Sequence, residues 1–433
     1  MTVIKEIVYP YLTSTGIYDL PHDWLVTDID SVITNIQSGF ASGERDPNGV
    51  VQMRMNNITS DGQLNFEELL KVPKPPDLAE YDIKKDDILF NNTNSLDLIG
   101  KTAIARDDLE YTFSNHITRI RVDKNKVIPY WLYLILLRYR ERSVFKSICN
   151  THVGQSGIGK HELKRLRIWL PSIPEQQKIT LILSKVDDLI QKTDEIIEQT
   201  QRLKKGLMQR LLTKGIGHQE FKPIKFLFGK KFEMPMEWNV AKLINLCKEK
   251  PQYGAAVAAV KYDPSLPRYI RITDITNEGS LNSEAVSITE EDANGYLMSE
   301  GEILFARTGA TVGKTYLYNK EDGLCAFAGY LIKFTPDETK LDAKFLFHYT
   351  HSDNYWRWLL SNFTQGVQPN VNAEQYSHLP LLMPPIEEQR KIADILDTIT
   401  AKVKQELNHK SQLELLKKGL MQKLLTGQIR VKV

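Results

Sequence analysis

Cysteine, long apolar runs, leader segments and an excess of either charge are all scarce in this chain. Only three cysteines occur, Cys149, Cys247 and Cys325. Their odd number and wide spacing exclude a disulfide framework and a CxxC metal knuckle, so they are expected as core thiols. The densest apolar run, Trp131 to Leu137, stops at Arg138, far short of the roughly 20 residues a membrane span needs. Met1 to Leu12 holds Lys5 but no basic-then-apolar leader pattern. A cytosolic protein without a membrane partner is expected. Charge is nearly balanced, 56 basic against 54 acidic residues for a net of +2. A chain that binds nucleic acid through bulk charge would be far more basic; any such contact must come from local patches.

Catalytic constellations are missing too. In Gly309-Ala310-Thr311-Val312-Gly313-Lys314-Thr315 the glycines stand one residue too close for a phosphate loop, and Asp97 to Thr102 lacks the first glycine. The carboxylates of Pro76-Asp77…Asp82-Ile83-Lys84 and Pro336-Asp337-Glu338-Thr339-Lys340 are too close in sequence to converge from separate strands on a metal. His348 and His351 have no cysteine partner nearby. No glycine-rich cofactor turn follows a strand, and no Asn/Asp-Pro-Pro-aromatic motif occurs. Neither catalysis nor a cofactor or metal site is expected in this chain.

What the chain does have is a repeat. Leu203-Lys204-Lys205-Gly206-Leu207-Met208-Gln209-Arg210-Leu211-Leu212-Thr213 returns as Leu416 to Thr426 with only Lys423 in place of Arg210. Upstream, Pro171-Ser172-Ile173-Pro174-Glu175-Gln176-Gln177-Lys178-Ile179 returns as Pro384-Pro385-Ile386-Glu387-Glu388-Gln389-Arg390-Lys391-Ile392. Weaker echoes pair Pro21…Trp24 with Pro235…Trp238, Arg54…Gly62 with Arg271…Gly279, and Gly100-Lys101 with Gly313-Lys314. With 433 residues there is room for two sizeable cores. Each half therefore reads as a variable head followed by a shared tail.

The tails are helical in pattern. Ile182, Val186, Leu189, Thr193, Ile196, Thr200, Leu203 and Leu207 alternate three and four apart, and Ile392, Ile395, Leu396, Ile399, Val403, Leu407, Leu413, Leu416, Leu420 and Leu424 continue the theme. This is a coiled-coil seam. Pro174 and Pro385 suit helix starts, Glu175, Glu387 and Glu388 the positive end, and Gly215 and Gly427 the stops. The repeated lysines, Lys204, Lys205, Lys417 and Lys418 among them, read as a solvated face near the negative end. About 40 residues make each helix roughly 60 Å long. Helix one begins where the first head ends and stops just before the second begins, so the expectation is heads at opposite ends of an antiparallel pair, related by an approximate two-fold. Leu207, Met208, Leu420 and Met421 are expected as apolar surface left for another chain.

The heads mix strand-like runs, Asp87 to Phe90 and Glu302 to Phe305, with helical stretches around Trp131 to Arg142 and Phe345 to Leu360. Between them lie polar loops, Asn91-Asn92-Thr93-Asn94-Ser95 and Ala306-Arg307-Thr308-Gly309-Ala310-Thr311. Asparagine suits adenine and arginine suits guanine. This marks Asn91, Asn92, Asn94, Arg307 and Thr308 as candidate DNA contacts, with Lys101 and Lys314 as candidates for phosphate or for capping a turn.

The twin proline-glutamine blocks, each leading into a long helix that ends Lys-Lys-Gly-Leu-Met-Gln, resemble the conserved regions of specificity subunits of type I restriction-modification systems. The resemblance covers nearly the whole chain. It implies an α+β fold with two mixed target-recognition domains (1–172 and 217–383), two conserved antiparallel coiled-coil helices (173–216 and 384–427) and a tail (428–433). It also implies that each head reads half of a bipartite double-stranded DNA site in the major groove, while the helices set the gap and hold two methylation subunits. Two restriction subunits could join. S-adenosylmethionine, Mg2+ and ATP are then expected on those partners. Thr364 to Asn372 resembles the second recognition loop, adding Gln368 and Asn370; the matching Thr151 to Ile158, with Gln155, lacks its Pro-Asn. The competing reading is a coiled-coil scaffold with two protein-binding heads.

Overall fold

The computed structural model describes residues 20–152, 154–226, 230–362 and 369–432. The chain forms two compact units, one built from residues up to Thr193 together with those from His409 onward, the other from Asp194–Asn408. The division falls inside the two long helices, Ile173–Lys214 and Ile386–Leu424, and not at the ends of the heads.

In the first unit a four-stranded antiparallel sheet runs in the order Ile33–Ser38, Ile117–Val122, Ile88–Asn91, Thr102–Ile104. Beside it, Leu70–Val72, Val50–Met53 and Tyr111–Phe113 form a three-stranded sheet whose last pair is parallel. Leu25–Asp28 pairs with Arg167–Leu170 and so joins the head's start to its end. The second unit repeats this plan with Gln252–Tyr253, Leu331–Phe334, Ile303–Ala306 and Thr315–Leu317 in the same order. Its other sheet again ends in a parallel pair, Arg268–Ile270 with Cys325–Phe327, and Asn239–Lys242 pairs with Pro380–Met383. The central strands Ile88–Asn91 and Ile303–Ala306 are buried along their whole length, which is why they read as unbroken apolar runs.

Packed on these sheets are helices. Pro129–Glu141 starts on a proline whose missing amide needs no partner. In the second unit the stretch predicted around Phe345 to Leu360 breaks into Ala343–Tyr349 and Asp353–Ser361. Ser352 makes the break, its hydroxyl accepting the Tyr355 amide at 3.3 Å.

The duplicated glutamine has a mechanical reason. Gln176 Oε1 accepts from the amide of Ile128, just before the first head's main helix, at 2.9 Å, while its Nε2 donates to Pro171 O at 2.9 Å. Gln389 does the same between Asp342 and Pro384, also at 2.9 Å each. One carboxamide offers both a donor and an acceptor, so it ties the start of a long helix to the helix of its own head.

The helices also stop by a shared device. Gly215 and Gly427 take φ of +68° and +70°, the left-handed turn that glycine adopts without strain. Their bareness also lets the chain pass closely: a Cβ on Gly215 would lie 2.4 Å from Glu388 Oε1, and one on Gly427 2.3 Å from Pro21.

Each unit combines the start of one long helix with the end of the other. In the first, Ile179 and Leu183 share a core with Met421, Leu424 and Leu425. Glu175 meets Arg430 and Asp187 meets Lys417, so the partners run in opposite directions. In the second, Leu211 and Leu212 share a core with Ile392, Ala393 and Leu396, and Glu388 accepts the Ile216 amide at 2.9 Å.

Three expectations need correction. The buried seam of helix one contains Val186, Thr193 and Thr200 as read, but its other positions are Leu183 and Ile197, with the half-buried Ile190 between them. Ile182, Leu189, Ile196 and Leu203 are 37–54 % exposed. The sequence holds two apolar rows side by side, each with a period of seven, and spacing alone cannot choose between them. Second, the four residues expected as free apolar surface are used internally. Met421 is 3 % exposed within the first core, Leu420 packs against it, and Leu207 and Met208 pack on the second core. Third, Lys417 is no solvated lysine: its ammonium lies 2.7 Å from the buried Asp187 carboxylate, which also accepts the Tyr130 hydroxyl. Burial likewise pushes the pKa of Lys204 below the usual lysine range, against the pull of Glu278 and Asp397. Among the described residues no helix is long and apolar enough to cross a membrane.

Candidate nucleic-acid interface

The first head carries an open groove of about 900 Å³. Its lining includes Arg54 and Asn56 after one strand, Asn94 and Lys101 around the asparagine loop, Asn115 and His116 at a strand turn, and Ser42 from a fourth segment. Arg54 opens a short 3-10 turn, Met55–Asn57, with its amide bonded to Asn57 Oδ1 at 2.9 Å. Behind this turn Lys101 is buried, its ammonium donating to Met55 O at 2.7 Å and to Ile58 O. Burial, aided by repulsion from Arg140, pushes its pKa below the usual lysine range. Lys101 therefore holds the groove wall; its charge is not free to roam.

The asparagine loop divides in the same way. Asn92 is buried, its Nδ2 donating to Asn115 O at 3.1 Å and Thr118 Oγ1 at 2.8 Å. Asn91 is buried too and accepts from Asn94 Nδ2 at 2.8 Å. Both buried amides brace the loop, whereas Asn94 lines the groove. Gln155 is exposed on a hairpin, Asn150–His152 with Gln155–Gly157, whose second strand pairs with Thr93–Asn94. All five predicted residues of this head thus gather around one loop.

The second head builds the same place from different residues. Arg271 opens the equivalent 3-10 turn, Ile272–Asp274, but here Asp274 neutralises it, with guanidinium bonds of 2.8 and 3.1 Å. Lys314 donates to Ile275 O at 3.2 Å, matching the Lys101 contact to Ile58. In both heads the lysine of the repeated Gly-Lys pair clamps the turn.

Arg307 replaces Asn92: its amide bonds to Tyr330 O at 3.1 Å, as that of Asn92 bonds to His116 O at 3.0 Å. Its guanidinium carbon lies 5.0 Å from the centre of the Tyr253 ring, a cation–π geometry. Tyr253 is fixed in turn by accepting the Ala373 amide at 3.1 Å. Thr308 bridges to Asn370, and the Val371 amide bonds to Arg307 O at 2.9 Å. Arg307, Thr308 and Asn370 therefore meet, with the exposed Tyr330 beside them. Gln368 lies outside the described residues.

Sequence reasoning missed Arg54, Asn56, His116, Tyr253 and Tyr330. The Arg54 and Arg271 echo was visible in the repeat; the others are brought in by strand pairing, which leaves no local signal. Among the described residues no group of three or more His, Cys, Asp and Glu side chains converges as a metal site would need. The arrangement can offer hydrogen bonds, one stacked guanidinium and exposed rings to a polar ligand that lies across the loops.

Comparison with known proteins supplies the context. The sequence profile described as the type I restriction modification DNA specificity domain matches twice, over residues 21–202 and 235–416. The chain is 31% identical over 424 residues to a protein of Methanocaldococcus jannaschii described as the MjaX type I restriction enzyme specificity subunit, covering 96% of each. A second protein of that organism, the MjaVIII specificity subunit, is 29% identical over 73% of this chain and 74% of its own length. Among solved structures, the S subunit of a type I restriction-modification system from M. genitalium superposes with a TM-score of 0.62 at 14% identity, covering 94% of this chain and 96% of that one.

Proposed function

The chain belongs to the family of type I restriction-modification DNA specificity subunits, and we propose that its two heads read the two halves of one bipartite duplex site through the loops around Asn94 and Arg307. The observation that carries this reading is one scaffold with two chemistries. The sheets and the clamping lysines match, while the residues that build the loops differ: the buried Asn92 against the half-buried Arg307, His116 against the exposed Tyr330, and a neutral Asn57 against Asp274 beside the arginine. Such a pattern suits two unlike base sequences read in the major groove. A bidentate arginine contact to guanine is worth about 1–3 kcal/mol of discrimination. Arg307→Ala is therefore expected to relax one half-site by roughly 10- to 100-fold and leave the other intact. Mapping methylated bases in a genome, with the chain co-expressed with its methylation partner, reads this directly; equal loss at both half-sites would refute modular heads.

Catalysis then belongs to partner subunits in the cytosol, which carry S-adenosylmethionine, Mg2+ and ATP. The chain alone neither methylates nor cuts. The exposed apolar row supports a place for two methylation subunits. The first unit presents Ile182 and Leu416, and the second presents their repeat equivalents, Ile395 and Leu203, all 37–54 % exposed. Equivalent sets fit two copies of one partner. Ile182→Glu with Leu416→Glu should leave one methylation subunit bound in place of two, as weighed by native mass spectrometry. Retention of both would remove this row as the docking surface.

A further inference from the structure

The second unit carries a β-hairpin that the reading of bases leaves without a role. Phe221–Phe226 pairs with Lys230–Pro235. Its inner face is apolar: Phe226 and Met234 are buried in the second core, with Ile224 and Phe232 packed on it. Its outer face places Lys225 directly opposite Lys231, both exposed. Like charges facing each other across a strand pair cost stability, and among the described residues no ion pair relieves these two. The nearby acid, Glu233, is taken by Lys214 at 3.3 Å, and Lys222 is committed to Met236 O at 2.6 Å.

The charge is concentrated as well as unpaired. Residues 221–235 hold four lysines against one glutamate, a net of +3, whereas the whole chain holds +2. The segment placed before Pro21 as this one is before Pro235, Ile7 to Pro21, has no lysine or arginine. A cationic ribbon with two facing lysines on its outer side, stiffened from beneath by a core, has the form of a contact for a polyanion.

We propose that this hairpin grips the phosphate backbone of DNA beside the second half-site without reading bases, its two facing lysines each neutralising a phosphate. The proposal rests on the reading of the chain as a DNA-specificity subunit. Releasing counterions from two phosphates contributes about 1.8 to the slope of log affinity against log salt.

The test uses the chain assembled with its methylation subunits. Binding to a cognate and an unrelated duplex is measured between 50 and 200 mM salt for wild type, Lys225→Gln with Lys231→Gln, and Lys225→Arg with Lys231→Arg. The glutamine pair should bind both duplexes roughly tenfold more weakly at low salt, with a slope shallower by about two. Sequence preference should persist, and the arginine pair should behave as wild type. An unchanged slope on the unrelated duplex overturns the proposal. So does loss of the methylation subunits from the glutamine variant, which would make the ribbon a protein contact. A wild-type complex with no sequence preference would defeat the specificity reading instead, and the slope on unrelated duplex would still judge the hairpin.

Discussion

Lengthening both long helices by four residues, after Thr193 in the first and after Glu406 in the second, will move methylation to a site whose unread spacer is one or two base pairs longer. The two positions are repeat equivalents, and Thr193 marks where helix one passes from one unit to the other. Four residues add about 6 Å to a helix, against about 3.4 Å per base pair of duplex. They also turn the downstream part of each helix by about 40°, close to the roughly 34–68° that one or two added base pairs impose at 10–10.5 per turn. Buried and exposed rows stay nearly in register, so the pair should still form. Because neither head is altered, both half-site sequences should persist while the native site loses methylation altogether. Methylome mapping gives the answer, and an unchanged spacer at full activity would show that helix length is not the ruler.

Replacing Asp187 with asparagine will loosen the first unit selectively. Asp187 is 2 % exposed, and the Lys417 ammonium that faces it across the helix pair is only 12 % exposed. Removing one partner of such a pair leaves a buried charge without compensation, which costs about 3–5 kcal/mol. Tyr130 still offers its hydroxyl to the new amide but cannot neutralise a lysine. The loss should appear as faster amide exchange across residues 20–193 and 409–432, with residues 194–408 unchanged. A uniform change would contradict the division into units. Asp187→Leu with Lys417→Met should recover most of the loss, since replacing a buried pair by apolar groups is often neutral. That recovery separates charge from packing.

Much of this architecture was legible because long-period features survive in sequence. The repeat, the helix stops at Gly215 and Gly427, and the buried strands at Ile88 and Ile303 each rest on local rules. The choice between the rows of Ile182 and Leu183 did not, since both are apolar and only the neighbouring helix decides. Polar loops were legible as loops, but not which asparagine faces outward. Asn92 is consumed by Asn115 and Thr118, residues more than 20 positions away. Lys101 misled for a similar reason: a lysine beside a glycine in a polar loop looks like a phosphate hand, and only the carbonyls of Met55 and Ile58 reveal a brace. His116 and Tyr330 reach the loop clusters through strand pairing, which a single sequence does not record.

The discontinuous first unit has a consequence for biosynthesis. Its core needs Met421, Leu424 and Leu425, yet a ribosome delivers them only after the entire second unit, residues 194–408, has been made. At about 5–20 residues per second that interval is on the order of 10–40 s. Throughout it, the nascent first head exposes the faces of Ile179 and Leu183 that the end of helix two later covers. The second unit, contiguous in the chain, can close on its own first. Folding order is therefore the reverse of synthesis order, and the waiting head is the species that chaperones would meet.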